Sequence, residues 1–130
     1  MDGEYRHSHI FDMGYGDMEK NLEDLCEEWK KRLGLAHWNI EVHLVPGDEI
    51  NNNRGQNDYS FVDEQSVIRI KRPEDYCGYF PQDMEQTLVH ELLHIIFDFP
   101  SLGDGVVNAH YEQAINRIAS ILVKLKRGGD

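Results

Sequence analysis

Thr87-Leu88-Val89-His90-Glu91-Leu92-Leu93-His94-Ile95-Ile96 is an HExxH pattern set inside an apolar run. On an α-helix, residues four apart share a face, so His90 and His94 present two imidazoles to one cation with Glu91 beside them. With 7 His and 12 Glu in 130 residues, the pattern arises by accident about 0.03 times per chain of this composition. The flanks argue harder than the motif. Leu88, Val89, Leu92, Leu93, Ile95, Ile96 and Phe97 make the helix apolar nearly all round, hence a buried element on which the rest of the chain must pack. Two histidines and a carboxylate inside such a helix need partners, because isolated buried charge is very costly, and a metal ion is the simplest partner. Zinc is expected, one ion per chain, with Glu91 as a built-in base. Zinc prefers four N, O or S ligands and a catalytic site leaves one position to water, so a third protein ligand is required.

Downstream, Ser101 to Val107 holds two glycines and turns the chain back. Asn108 is a good N-cap for a last helix that runs to Lys126, with Ile115, Ile118, Ala119, Leu122 and Leu125 on its buried side. Glu112, 18 residues beyond His94, stands in its first turns. A helix, a short loop and a returning helix bring this carboxylate against the histidines and leave one position open. Asn116, one turn further on the same face, is placed to accept the N–H of a ligating imidazole. His110 is the rival third ligand and would give three imidazoles.

Upstream, Pro81 suits the first position of the motif helix and Asp83 and Glu85 its first turn, so that helix is expected from Pro81 to Asp98, halted by Pro100. Arg72 to Phe80 reads as irregular. Tyr59 to Val62 and Ser66 to Lys71 read as a hairpin around Asp63-Glu64-Gln65, with Ile68 and Ile70 on the core face. Residues 46–58 read as a polar loop. From Trp38 to Val45 the period is two, with Trp38, Ile40, Val42 and Leu44 inward. Before it, an amphipathic helix opens at Asp17, buries Met18, Leu22, Leu25, Cys26, Trp29 and Leu33, and ends at Gly34. Residues 1–16, including His7 and His9, read as a flexible N-terminal arm; residues 17–130 read as a single domain. The fold class expected is α+β, with a packing helix, a small three-stranded and largely antiparallel sheet, the HExxH helix and a glutamate-bearing C-terminal helix.

A net charge of −11 disfavours nucleic acid and anionic membranes and would attract a basic partner. The longest apolar runs are far too short to span a bilayer, and nothing resembles an export signal, so a cytoplasmic monomer is expected. Cys26 and Cys77 belong to no CxxC pair and read as reduced thiols.

His90-Glu91-Leu92-Leu93-His94 followed by Glu112-Gln113-Ala114-Ile115-Asn116-Arg117-Ile118-Ala119 resembles the gluzincin metallopeptidases, particularly the ImmA/IrrE type, and the small size resembles the minigluzincins. The likeness covers residues 84–125. It implies a zincin-like fold, zinc held by His90, His94 and Glu112, Glu91 as general base, and hydrolysis of a peptide or protein substrate. It also implies a sheet edge that aligns the substrate as an added strand, for which Ser66 to Lys71 is the candidate. Tyr111, His110, Tyr76 and Tyr79 are candidate donors to the oxyanion of the transition state. Two alternatives stand beside this reading: a SprT-like protease with His110 as third ligand, and a catalytically inactive zincin-fold protein that serves as an acidic protein-binding module.

Overall fold

In the computed structural model, which describes residues 14–76, 82–98 and 105–128, the chain is α+β. Its elements are α1 (Tyr15–Arg32), β1 (Asn39–Val45), β2 (Gly55–Ser60), β3 (Gln65–Lys71), α2 (Met84–Phe97) and α3 (Gly105–Lys126). No described helix is long and apolar enough to cross a membrane. In α1 the helical period puts Met18, Leu22, Cys26 and Trp29 into the core. The helix begins at Tyr15, two residues before the expected Asp17, and ends where Gly34 takes φ +76°, a conformation that costs glycine least. Burial pushes the Cys26 thiol up to about 12, so it is an inert core residue. His7, His9, Tyr79 and Cys77 lie outside the described residues.

The sheet has the order β1-β3-β2, with β3 parallel to β1 and antiparallel to β2. It is mixed, which corrects the largely antiparallel sheet expected. A period of two fixes which side chains face the helices but not which strands are neighbours. Here β3 inserts between the other two, with Val42 opposite Ile68 and Leu44 opposite Ile70 on the core face. The segment from Ser66 to Lys71 is therefore central, and is no free edge. The free edge beside the helices belongs to β2, whose first four residues, Gly55-Gln56-Asn57-Asp58, were read as loop. Their composition is that of a turn. What makes them a strand is tertiary: the ladder to β3 satisfies one side of the backbone, and the inner side chains contact α2.

Asp83 caps α2, its side chain accepting the amide of Gln86, so the helix starts at Met84 and not at Pro81. α3 starts at Gly105, which places the expected cap Asn108 inside the helix. Its buried stripe is Ile115, Ala119 and Val123; Leu125, expected inside, is 61% exposed. The three helices are tied at Glu85. This α2 carboxylate accepts from Trp29 Nε1 of α1 at 2.7 Å, from Lys126 Nζ of α3 at 2.5 Å and from Arg127 at 3.0 Å. Burial works to raise the Glu85 pKa, but Lys126, Trp29 and Arg127 outweigh it and hold the carboxyl below its ordinary value of 4.5. The charged form is thus the one the fold favours, and its contribution is present above that ordinary value and lost as acid titrates the folded state below it. Glu85→Gln is expected to cost about 1–3 kcal/mol at neutral pH. It should also weaken the fall of the urea midpoint on acidification below about 4.5. A variant whose midpoint matches the parent at neutral pH would contradict this role.

Candidate metal centre

His90 and His94 lie one turn apart on α2 with ring centroids 5.1 Å apart. The Glu112 carboxylate of α3 spans them, with Oε1 at 2.8 Å from His90 Nε2 and Oε2 at 3.1 Å from His94 Nε2. Donor atoms of these three residues lie within 4.8 Å of one another, and among the described residues no other such group of three exists. They could hold a metal ion. Ligands at zinc distances in a tetrahedron stand about 3.3 Å apart, and the two nitrogen–oxygen separations, 2.8 and 3.1 Å, lie close below that. The imidazoles are 17% and 13% exposed and the Glu112 side chain 51%, so the histidines are largely enclosed and the group is open to solvent on the Glu112 side. His110 is exposed and outside the group. Residues two apart on a helix do not share a face, so Glu112 and His110 cannot both point at α2.

Glu91 is 8% exposed and lines the same cleft as the group. Its enclosure comes from β2: a Cβ added to Gly55 would lie 2.8 Å from Thr87 Cγ2 and 3.2 Å from Glu91 Oε2. Only glycine lets strand and helix approach so closely. Asn57 Nδ2 donates to the Glu91 carbonyl at 2.7 Å, and Ser66 Oγ donates to Asn57 Oδ1 at 2.5 Å, which fixes the orientation of the amide. Burial pushes the Glu91 carboxyl up to about 7; Glu112, Asp98 and Asp58 add to this and His94 opposes it. A carboxyl so placed exchanges its proton near neutrality, and a cation on the neighbouring ligands would draw its pKa down.

Asp98 is the functional residue missed in the sequence. Its Oδ1 lies 2.8 Å from His94 Nδ1 and accepts the Tyr111 hydroxyl at 2.7 Å, while Oδ2 accepts the Tyr59 hydroxyl. A carboxylate only accepts, so Nδ1 of His94 carries the proton and the pair orients the ring with Nε2 toward Glu112. Burial opposes charge on Asp98, but Tyr59, His94 and Tyr111 outweigh it and hold the carboxyl below its ordinary range. The signal was present: Asp98 is four residues after His94, on the same helix face. Asn116 does not hold an imidazole; its Oδ1 accepts from Gln86 Nε2 at 3.3 Å. Tyr111 is committed to Asp98 and packs edge-on against the His94 ring, and neither it nor His110 lines the cleft. Of the candidate oxyanion donors, Tyr76 does line it.

That cleft, about 950 Å³, runs from Tyr76 and Arg54 past Glu91 to Glu112, with β2 along one wall. The chain was compared with known protein families, with characterised proteins and with solved structures, and none of the three comparisons gives a match. Asp98→Ala should weaken divalent-cation affinity roughly 10–100-fold, with Asp98→Asn intermediate, as measured by competition with a chromogenic chelator. Undiminished affinity in both variants would remove Asp98 from the site. Gly55→Ala should cost about 1–3 kcal/mol in urea unfolding, because the added methyl must displace either β2 or Thr87.

Proposed function

We propose that the protein is a zinc-dependent peptidase of zincin type, in which His90, His94 and Glu112 hold the ion and Glu91 is the general base. The observation that carries this reading is the Glu112 carboxylate lying across both Nε2 atoms in the same cleft as the buried Glu91. Zinc held there would lower the pKa of a water to roughly 7 and polarise a substrate carbonyl. Glu91 takes a proton from the attacking water and passes it to the leaving amine, so that the amide C–N bond breaks without release of an amide anion. Asp98 keeps His94 in the tautomer that ligation needs. The free edge of β2, not that of β3, aligns an extended peptide as an added strand, and Gly55 and Asn57 set its distance from Glu91. Tyr76 is the remaining candidate among the described residues for contact with the oxyanion.

Protein purified without added metal should contain one zinc per chain by elemental analysis. Glu91→Gln should retain zinc and lose at least about 10²-fold in peptide hydrolysis. Glu112→Ala should lose zinc, and His110→Ala should keep it. Zinc-free protein that binds none on addition, or undiminished turnover in Glu91→Gln, would refute the assignment.

A further inference from the structure

The peptidase reading leaves open what the cleft selects. We propose, resting on that reading, that it selects a substrate carboxylate one or two residues from the scissile bond, and that Arg54 holds it. Among the described residues that line the cleft there is no aliphatic side chain, and the large apolar surfaces there are the rings of Tyr59 and Tyr76. Carboxamides dominate instead, among them Asn53, Gln56, Gln82 and Gln113. Arg54 is the only arginine or lysine in that lining.

The guanidinium is uncommitted. Its carbon lies 5.6 Å from the centre of the Tyr76 ring, and it has no carboxylate partner among the described residues. Of the acidic groups that share the cleft, Asp83 is engaged with Arg127, Asp98 with His94 and two tyrosines, and Glu112 with both histidines, while Glu91 is buried and makes no ion pair with Arg54. An aromatic face steers a guanidinium while leaving its N–H edge free, and that edge matches a carboxylate in bidentate fashion. The backbone beneath is pinned, since the Arg54 carbonyl accepts the amide of Lys71 at 2.9 Å. Position sets the register. Gly55, the next residue, abuts the Glu91 carboxylate, and strand residues advance about 3.3 Å each. The anion at Arg54 therefore belongs to a substrate residue adjacent to the reacting bond or one beyond it. It is either an Asp or Glu side chain or a free chain terminus.

The test uses a library of labelled hexapeptides with Glu or Gln scanned through each position, with free or amidated C-termini. Cleavage by the zinc-loaded protein is mapped by mass spectrometry, and binding to Glu91→Gln is followed by fluorescence anisotropy. Cleavage and binding should favour a carboxylate within two residues of the cut. Arg54→Gln should lose about tenfold or more on carboxylate peptides and little on their neutral analogues. Arg54→Lys should retain part of the preference, and Arg69→Gln, an exposed arginine paired with Asp58 on the sheet, all of it. Loss on Glu→Gln assigns the side chain; loss on amidation assigns the terminus. A preference for apolar residues, or an Arg54→Gln effect equal on charged and neutral peptides, overturns the proposal. Cleavage without carboxylate preference removes the Arg54 assignment and leaves the peptidase reading. Arg54-dependent binding without any cleavage does the reverse, and neither binding nor cleavage removes both.

Discussion

The contact on which the candidate site depends is the close approach of a strand to a helix. Gly55, Asn57 and Tyr59 form the inner face of β2, and each meets α2 at a different depth. Gly55 touches Thr87 and Glu91, Asn57 bonds the Glu91 carbonyl, and Tyr59 bonds Asp98. The strand therefore runs alongside the helix with its residues matched to successive turns. Glu91 becomes the floor of the cleft because this wall stands so near, and the wall can stand so near because residue 55 has no side chain. One added methyl there would disturb the burial of Glu91 and the position of the free strand edge together.

The third side of the site depends on a different contact. Ile115, Ala119 and Val123 recur every four residues along α3 and bury one stripe against the core, and Glu112 lies one turn before Ile115 on the same side. Packing thus aims the carboxylate at α2, and its contacts with the two imidazoles complete the placement. The far end of α3 is fixed by Lys126 and Arg127 on Glu85, near the first turn of the very helix that carries the histidines. A junction where Trp29 also donates to Glu85 sets the relation of three helices, and the ligand geometry follows at the other end.

The helical part of this arrangement was legible in the sequence because the 3.6 period and the HExxH spacing are local signals. All three helices, the two histidines, Glu91 and Glu112 could be read there, although the helix starts were misplaced by two to three residues in each case. The sheet was less legible. β2 is spelled Gly-Gln-Asn-Asp-Tyr-Ser, and nothing in that composition reports that a central strand and a helix will satisfy it from two sides. Neighbour order was invisible for the same reason, since β1 and β3 become parallel partners through tertiary packing. Asn116 and Asp98 show how a spacing argument divides. Both have a helical offset that permits contact with the ligand set. Asn116 is taken up by Gln86, while Asp98 meets His94 as its offset permits and also gathers two tyrosines from other elements, which no offset along one helix reveals.

Electrostatics joins these parts. The fold brings Glu91, Glu112 and Asp98 together in a chain of net charge −11, and each carboxylate must be offset. Asp98 receives three donors and Glu112 two imidazoles. Glu91 has the Asn57 contact only at its backbone, and burial drives its side chain toward the protonated form. A divalent cation on the histidines and Glu112 would relieve all of this at once, and its binding would then be thermodynamically linked to stability of the fold. The same negative field acts against any anion that approaches the cleft. A carboxylate can reside there only where a positive group stands close enough to outweigh that field, and charge interactions in solvent fade beyond about 10 Å. Attraction of a cation would thus be a property of the whole acidic site, whereas capture of an anion would reduce to a single guanidinium held on an aromatic ring.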